Sequence, residues 1–195
     1  GSSGRLTTLD LSGCTSVTSF VFDGGNSFAT VDLGGCTGLT ELQIFYASVA
    51  SLDVSGCSGL KTLICINRHL RSLDVTGCTA LETLECMDNQ LTALDVSGCV
   101  ALTSLDCYDN QLTSLNVAGC TALKHLKCNE NQLTSLDVSS CTALQELICC
   151  DNKFPSLNVS ACTALQRLVC GPNDHMKSIV ATGCAALLEI DFNYC

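Results

Sequence analysis

Apolar residues make up 47% of this 195-residue chain, yet no apolar run reaches the length of a membrane span. Polar residues interrupt every three or four positions, so membrane insertion is not expected. No window of ten or more residues shows helical spacing, which removes helices as a main element. Basic residues are scarce, with nine Lys and Arg against 19 Asp and Glu, a net charge of −10 and a pI near 4.4. An acidic surface repels phosphate backbones, so nucleic acid and anionic lipid are poor partners. A Gly-rich phosphate loop is missing. His69, His125 and His175 fall at unrelated positions and suggest neither a nucleophile–base pair nor a metal motif. No catalysis and no cofactor are therefore expected. No secretory signal is visible, and residues 1–5 read as linker.

What fills the chain is a period. Leu91–Gln111 recurs almost unchanged as Leu70–Gln90, Leu112–Gln132 and Leu133–Lys153. About nine units begin at Leu6, Phe28, Val49, Leu70, Leu91, Leu112, Leu133, Phe154 and Met176, most of them 21 residues long. A fixed period of this size marks a solenoid, here a single domain over residues 6–195. Each unit holds two copies of L-x-x-L-x-(apolar), as in Leu91-x-x-Leu94-x-Val96 and Leu102-x-x-Leu105-x-Cys107. Both copies alternate apolar and polar residues, which is strand periodicity. Ser-Gly-Cys-Thr and Asp-Asn-Gln supply turn chemistry between them. The expected architecture is a flattened coil with two short parallel strands per turn, stacked about 4.8 Å apart. One coil cannot bury its own apolar face, so stability must come from stacking. No polar cap closes the last unit, which suggests continuation beyond one or both ends.

Three columns repeat with the coils. Of 17 cysteines, fifteen fall in two of them: Cys14 to Cys184 in the first half-unit and Cys65 to Cys170 in the second. Thiols one coil apart, with parallel Cβ vectors, are poorly aimed for a relaxed disulfide, and a row does not converge on a metal. They read as buried, packing as small hydrophobes. Cys150 falls outside both columns and should point outward, the best-placed reactive thiol. The third column is Asn89, Asn110, Asn131, Asn152 and Asn173, with Gly25 and Ala47 in its place early and Arg68 and Cys195 at its margins. Its amides can satisfy backbone groups where the chain turns.

The outward positions of the two half-units differ. The first carries Asp10, Asp32, Asp53, Asp74, Asp95 and Asp137, interrupted by Asn116, Asn158 and Val180. Like charges at that spacing repel by about 0.9 kcal/mol in water. Their repetition implies hydrogen bonding to flanking Ser and Thr, or a counter-cation such as calcium on the row Asp32, Asp53, Asp74 and Asp95. The second half-unit changes its outward residues from coil to coil. Phe45, Ile64, Ile66, Met87 and Tyr108 make an apolar and aromatic strip, with Glu85, Asp106 and Lys127 among and beside them. Strips rimmed by charge often mark interaction sites, although β-propensity or packing against a neighbouring domain would also produce one. Lys124, His125 and Lys127 add a basic spot.

The segment L-x-x-L-x-C-x-x-N-x-L, as in Leu102–Leu112, resembles the conserved part of leucine-rich repeats. Paired with L-x-x-L-D-V-x-x-C, it is similar to the 21-residue bacterial class in which both halves are repeat-like and cysteines form a ladder, as in internalin J and Bacteroidetes surface proteins. That resemblance covers residues 6–195. It implies a non-enzymatic module that binds protein or glycan, carried by a bacterial surface or secreted protein, as a monomer or part of a longer chain. A spacer solenoid and a calcium-binding solenoid are the alternatives.

Overall fold

The computed structural model describes residues 6–23, 28–45, 48–66 and 68–193; Gly25, Ala47 and Cys195 lie outside them. The described residues form seventeen short strands and no helix. Each inward L-x-x-L-x-V or L-x-x-L-x-C side is sealed. In one coil Leu91, Leu94, Val96, Cys99, Leu102, Leu105 and Cys107 are all at most 2% exposed. Between the strands, turn bonds close at three-residue spacing, as Cys99 N–H to the Val96 carbonyl (2.9 Å) and Leu102 N–H to the Cys99 carbonyl (3.0 Å). The glycine of S-G-C sits in the left-handed region, φ +70° at Gly56 and +80° at Gly77, and a Cβ on Gly77 would come within 3.3 Å of the Gly56 backbone. Close stacking of the turns, as well as their dihedrals, explains glycine at those two positions.

All strand pairs are parallel and join equivalent positions of successive coils. The two columns of strands are unequal. Second half-units build one unbroken nine-stranded sheet, from Ser19–Asp23 to Glu189–Asp191. First half-units build a four-stranded sheet and two separate pairs, and Ser135–Asp137 is not a strand at all.

Inside, the polar columns take up the backbone groups that the ladders leave. Asn110 Nδ2 donates to the carbonyls of Cys86 (3.0 Å), Cys107 (3.2 Å) and Tyr108 (3.3 Å), while its Oδ1 accepts Leu91 N–H (3.0 Å). Asn89, Asn131 and Asn152 repeat this pattern, each 7% exposed. The first-column cysteines also have a partner. From Cys36 onward each thiol reaches back to a carbonyl of the preceding coil, as Cys57 to Leu33 O (3.1 Å), Cys78 to Val54 O (3.2 Å) and Cys184 to Val159 O (3.2 Å). S–H···O bonds are weak, but a donor here meets an acceptor that a valine could not. Burial pushes Cys65, Cys78, Cys120, Cys128 and Cys162 up to about 12, so these thiols stay protonated. The fifteen column cysteines are free.

Candidate binding face

The outward side of the nine-stranded sheet collects the variable residues. Parallel register places Gln43 beside Ile64, Ile64 beside Glu85, Glu85 beside Asp106, and Asp106 beside Lys127. A second row sets Phe45 beside Ile66. The ladder then continues past the strand ends through Cys86 N–H to Asp106 O (2.8 Å) and Asp88 N–H to Tyr108 O (3.2 Å), bringing Met87 and Tyr108 into consecutive coils of the same row. Phe45, Ile64, Ile66, Glu85, Met87, Asp106, Tyr108 and Lys127 are all half-buried, so the predicted set lies together on one sheet face. Opposite, the outward Ser and Asp of the first-column strands stand mostly clear of neighbours, as at Ala93–Asp95 and Ser114–Asn116.

Positive charge enters the sheet at its sixth strand, His125–Lys127. Lys127 Nζ lies 3.7 Å from Asp106 Oδ2, and burial raises Asp106 above the usual carboxylate range while that ammonium opposes the shift. The other Asp106 oxygen is buried without a hydrogen-bond partner. Alongside, His125 Nδ1 is 3.6 Å from Glu146 Oε2, and two ion pairs follow: Arg167 Nη1 is 2.9 Å from Glu146 Oε1, and Arg167 Nε is 3.3 Å from Glu189 Oε2. Burial and the surrounding carboxylates of Asp88, Asp106, Asp109 and Glu130 push the Tyr108 phenol up, keeping it a neutral donor.

Sequence reasoning missed a hollow. In the row that begins Phe45, Ile66, Met87 and Tyr108, the next members are Asn129, Cys150 and Gly171, all buried. Cys150 is not an exposed reactive thiol; it is fully buried and disulfide-bonded. With no large side chain in that row, a cavity of about 310 Å³ opens between Tyr108 and Arg167, floored by Ile148 and Val169. The shrinking series Tyr108, Asn129, Cys150, Gly171 was the available signal; alternation by itself does not tell that Cys150 is covered.

The first-column carboxylates face a different task. Oδ1 of Asp32, Asp53, Asp74, Asp95 and Asp137 accepts the backbone N–H two residues on, at 2.8 to 2.9 Å. Asn116 and Asn158 make the same bond to Ala118 and Ser160 (3.1 and 3.0 Å). Each is an Asx-turn that fixes the chain as it leaves the strand. Bonds from Ser12, Ser97 and Ser139 hold Asp10, Asp95 and Asp137 below the usual range. Among the described residues no group of three or more His, Cys, Asp or Glu side chains is placed to hold a metal ion.

Parallel coils of this period, a sealed leucine core and an asparagine at the second turn of five successive coils define a leucine-rich-repeat solenoid. A leucine-rich-repeat family model matches residues 67–83. The chain is similar to the functional domain of InlJ from Listeria monocytogenes, described as including a cysteine ladder, at 30% identity with a TM-score of 0.66 over 96% of this chain and 48% of that one. It is also similar in fold to TLR13 in its complex with ssRNA13, at 19% identity with a TM-score of 0.68 over 92% of this chain and 31% of that one. The chain thus spans about half of the InlJ chain and about a third of the TLR13 chain. A comparison with curated proteins gives no match.

Proposed function

We propose that this solenoid is a non-enzymatic binding module of a bacterial surface or secreted protein, which recognises a protein or glycan across the outward face of its nine-stranded sheet. One observation carries the reading. The sheet is continuous along the whole solenoid, and its outward residues differ in every coil while the inward ones hardly change. A rigid parallel sheet displays such residues with little ordering cost on binding. Phe45, Ile64, Ile66, Met87 and Tyr108 supply the apolar contact area, and Glu85, Asp106 and Lys127 the polar rim. The likeness to InlJ from Listeria monocytogenes supports a bacterial setting. A net charge of −10 opposes nucleic acid as partner.

The test is the pair Phe45→Asp and Tyr108→Asp, screened with wild type against an array of glycans and surface proteins. Loss of the wild-type ligands with an unchanged melting curve supports the reading. Ligands retained by the double variant would move the site off this face, and none bound by wild type would make the solenoid a spacer.

A further inference from the structure

The hollow at the end of the apolar strip has a more specific chemistry than the strip itself. Strands of the first five coils, Ser19–Asp23 through Ser104–Asp106, carry no Lys, Arg or His, whereas His125, Lys127 and Arg167 all lie on the next three strands. Lys127 and Arg167 face the hollow from opposite sides of the strand Glu146–Ile148, whose Ile148 forms its floor with Val169. Neither cation is saturated. Ion pairs engage Nε and Nη1 of Arg167 and leave Nη2 unpaired by them, and Lys127 Nζ has three donors against one carboxylate oxygen at 3.7 Å. The acid on the rim, Asp191, keeps its charge but is held by its own turn, with Oδ1 accepting Asn193 N–H (2.8 Å) and Nδ2 (2.7 Å).

From this we infer that the hollow is an anchor site for a carboxylate on an apolar stem, and that its source is a protein. A Glu side chain, or an Asp beside an apolar residue, lays its stem over Ile148 and Val169 and sets its carboxylate between Lys127 and Arg167, with the Tyr108 hydroxyl as a further donor. The partner is then polarised along the solenoid, apolar against Phe45, Ile66 and Met87 and acidic beyond Tyr108. Five apolar side chains with few exposed amides favour a polypeptide over a sugar chain, which needs amides and hydroxyls to satisfy its own. This inference rests on the binding-face reading above.

The test selects binders for the intact chain from a displayed library of random linear peptides, then measures them on four variants. Selected peptides should carry Asp or Glu next to an apolar cluster. Lys127→Gln should weaken them about tenfold or more, Lys127→Arg should restore most of that, and Lys61→Gln, outside the hollow, should leave them within about twofold. Tyr108→Asp should abolish binding. Peptides lost with Tyr108→Asp but lacking acidic residues, or indifferent to Lys127→Gln, overturn the anchor and leave the binding face standing. Peptides indifferent to both variants overturn both. Failure to select any peptide, or Lys127-dependent binding of glucuronate-bearing glycans instead, overturns the assignment to a protein.

Discussion

On the first column of strands, the outward residue after the second leucine is Asp or Asn in eight successive coils, Asp10 through Asn158, and its oxygen bonds the backbone N–H two residues on. On the second column the equivalent position runs Val21, Gln43, Ile64, Glu85, Asp106, Lys127, Ile148 and Val169 over the same coils. The chain must turn after both strands. At the first turn a carboxylate or amide outside the coil holds the backbone; at the second, Asn89, Asn110, Asn131 and Asn152 hold it from within, through the carbonyls of two successive coils. An internal hub leaves the outer surface free of that duty. The contrast teaches that, along the coils that carry the hub, the second face can vary because its turn is fixed from the inside, whereas the first face repeats because its turn is fixed from the outside.

The sharpest way to break this contrast is to remove a hub. Asn131→Ala strands Leu112 N–H and the carbonyls of Cys107, Cys128 and Asn129 in a buried setting. A loss of about 3–5 kcal/mol is expected, read from urea unfolding midpoints. Next in size, Cys99→Ala removes a fully packed side chain and a long S–H···O contact (3.9 Å), for a loss of about 1–2 kcal/mol. Native thiol labelling at neutral pH should modify Cys14 rapidly and spare the buried column cysteines, since Cys14 alone of the fifteen is exposed.

Smaller effects sharpen the other side. Asp95→Ala should cost about 1 kcal/mol, whereas Asp95→Asn, which keeps the Oδ1 acceptor as Asn116 does, should stay within about 0.5 kcal/mol. The pH dependence follows from the lowered values of Asp10, Asp95 and Asp137. Stability from a depressed carboxylate is complete above its unfolded value, about 4, and is lost as pH falls through the lower folded value. Replacing all three by Asn should therefore flatten the pH dependence of the unfolding midpoint below about pH 4, the variant matching wild type at acid pH and melting slightly lower at neutral pH. Smallest of all, calcium against chelator should not move the melting midpoint, because one oxygen of each Asp in the row already serves its own turn.

Period, strand pairing, inward residues and both cysteine columns were legible in the sequence, because each is written many times and depends only on alternation and spacing. The role of the Asp row was open between hydrogen bonding and a cation, since which group an oxygen meets depends on turn dihedrals that composition does not specify. The split of the first column at Ser135–Asp137 was not legible either: Leu133–Gln145 reads like its neighbours. At the candidate site, the eight residues of the strip come together as their columns imply. The hollow beside them escaped notice because it depends on how neighbouring coils cover the row after Tyr108, where Asn129, Cys150 and Gly171 are all buried.

A scan of all substitutions at positions 85, 87, 95, 106, 108 and 110, selected for folding alone, tests the contrast most directly. The account predicts that 110 admits only Asn and 95 strongly prefers Asp or Asn, while 85, 87 and 108 accept polar and apolar residues alike and 106 loses its acid without penalty. Equal tolerance at 95 and 85, or a folding requirement for particular residues at 87 and 108, would contradict it.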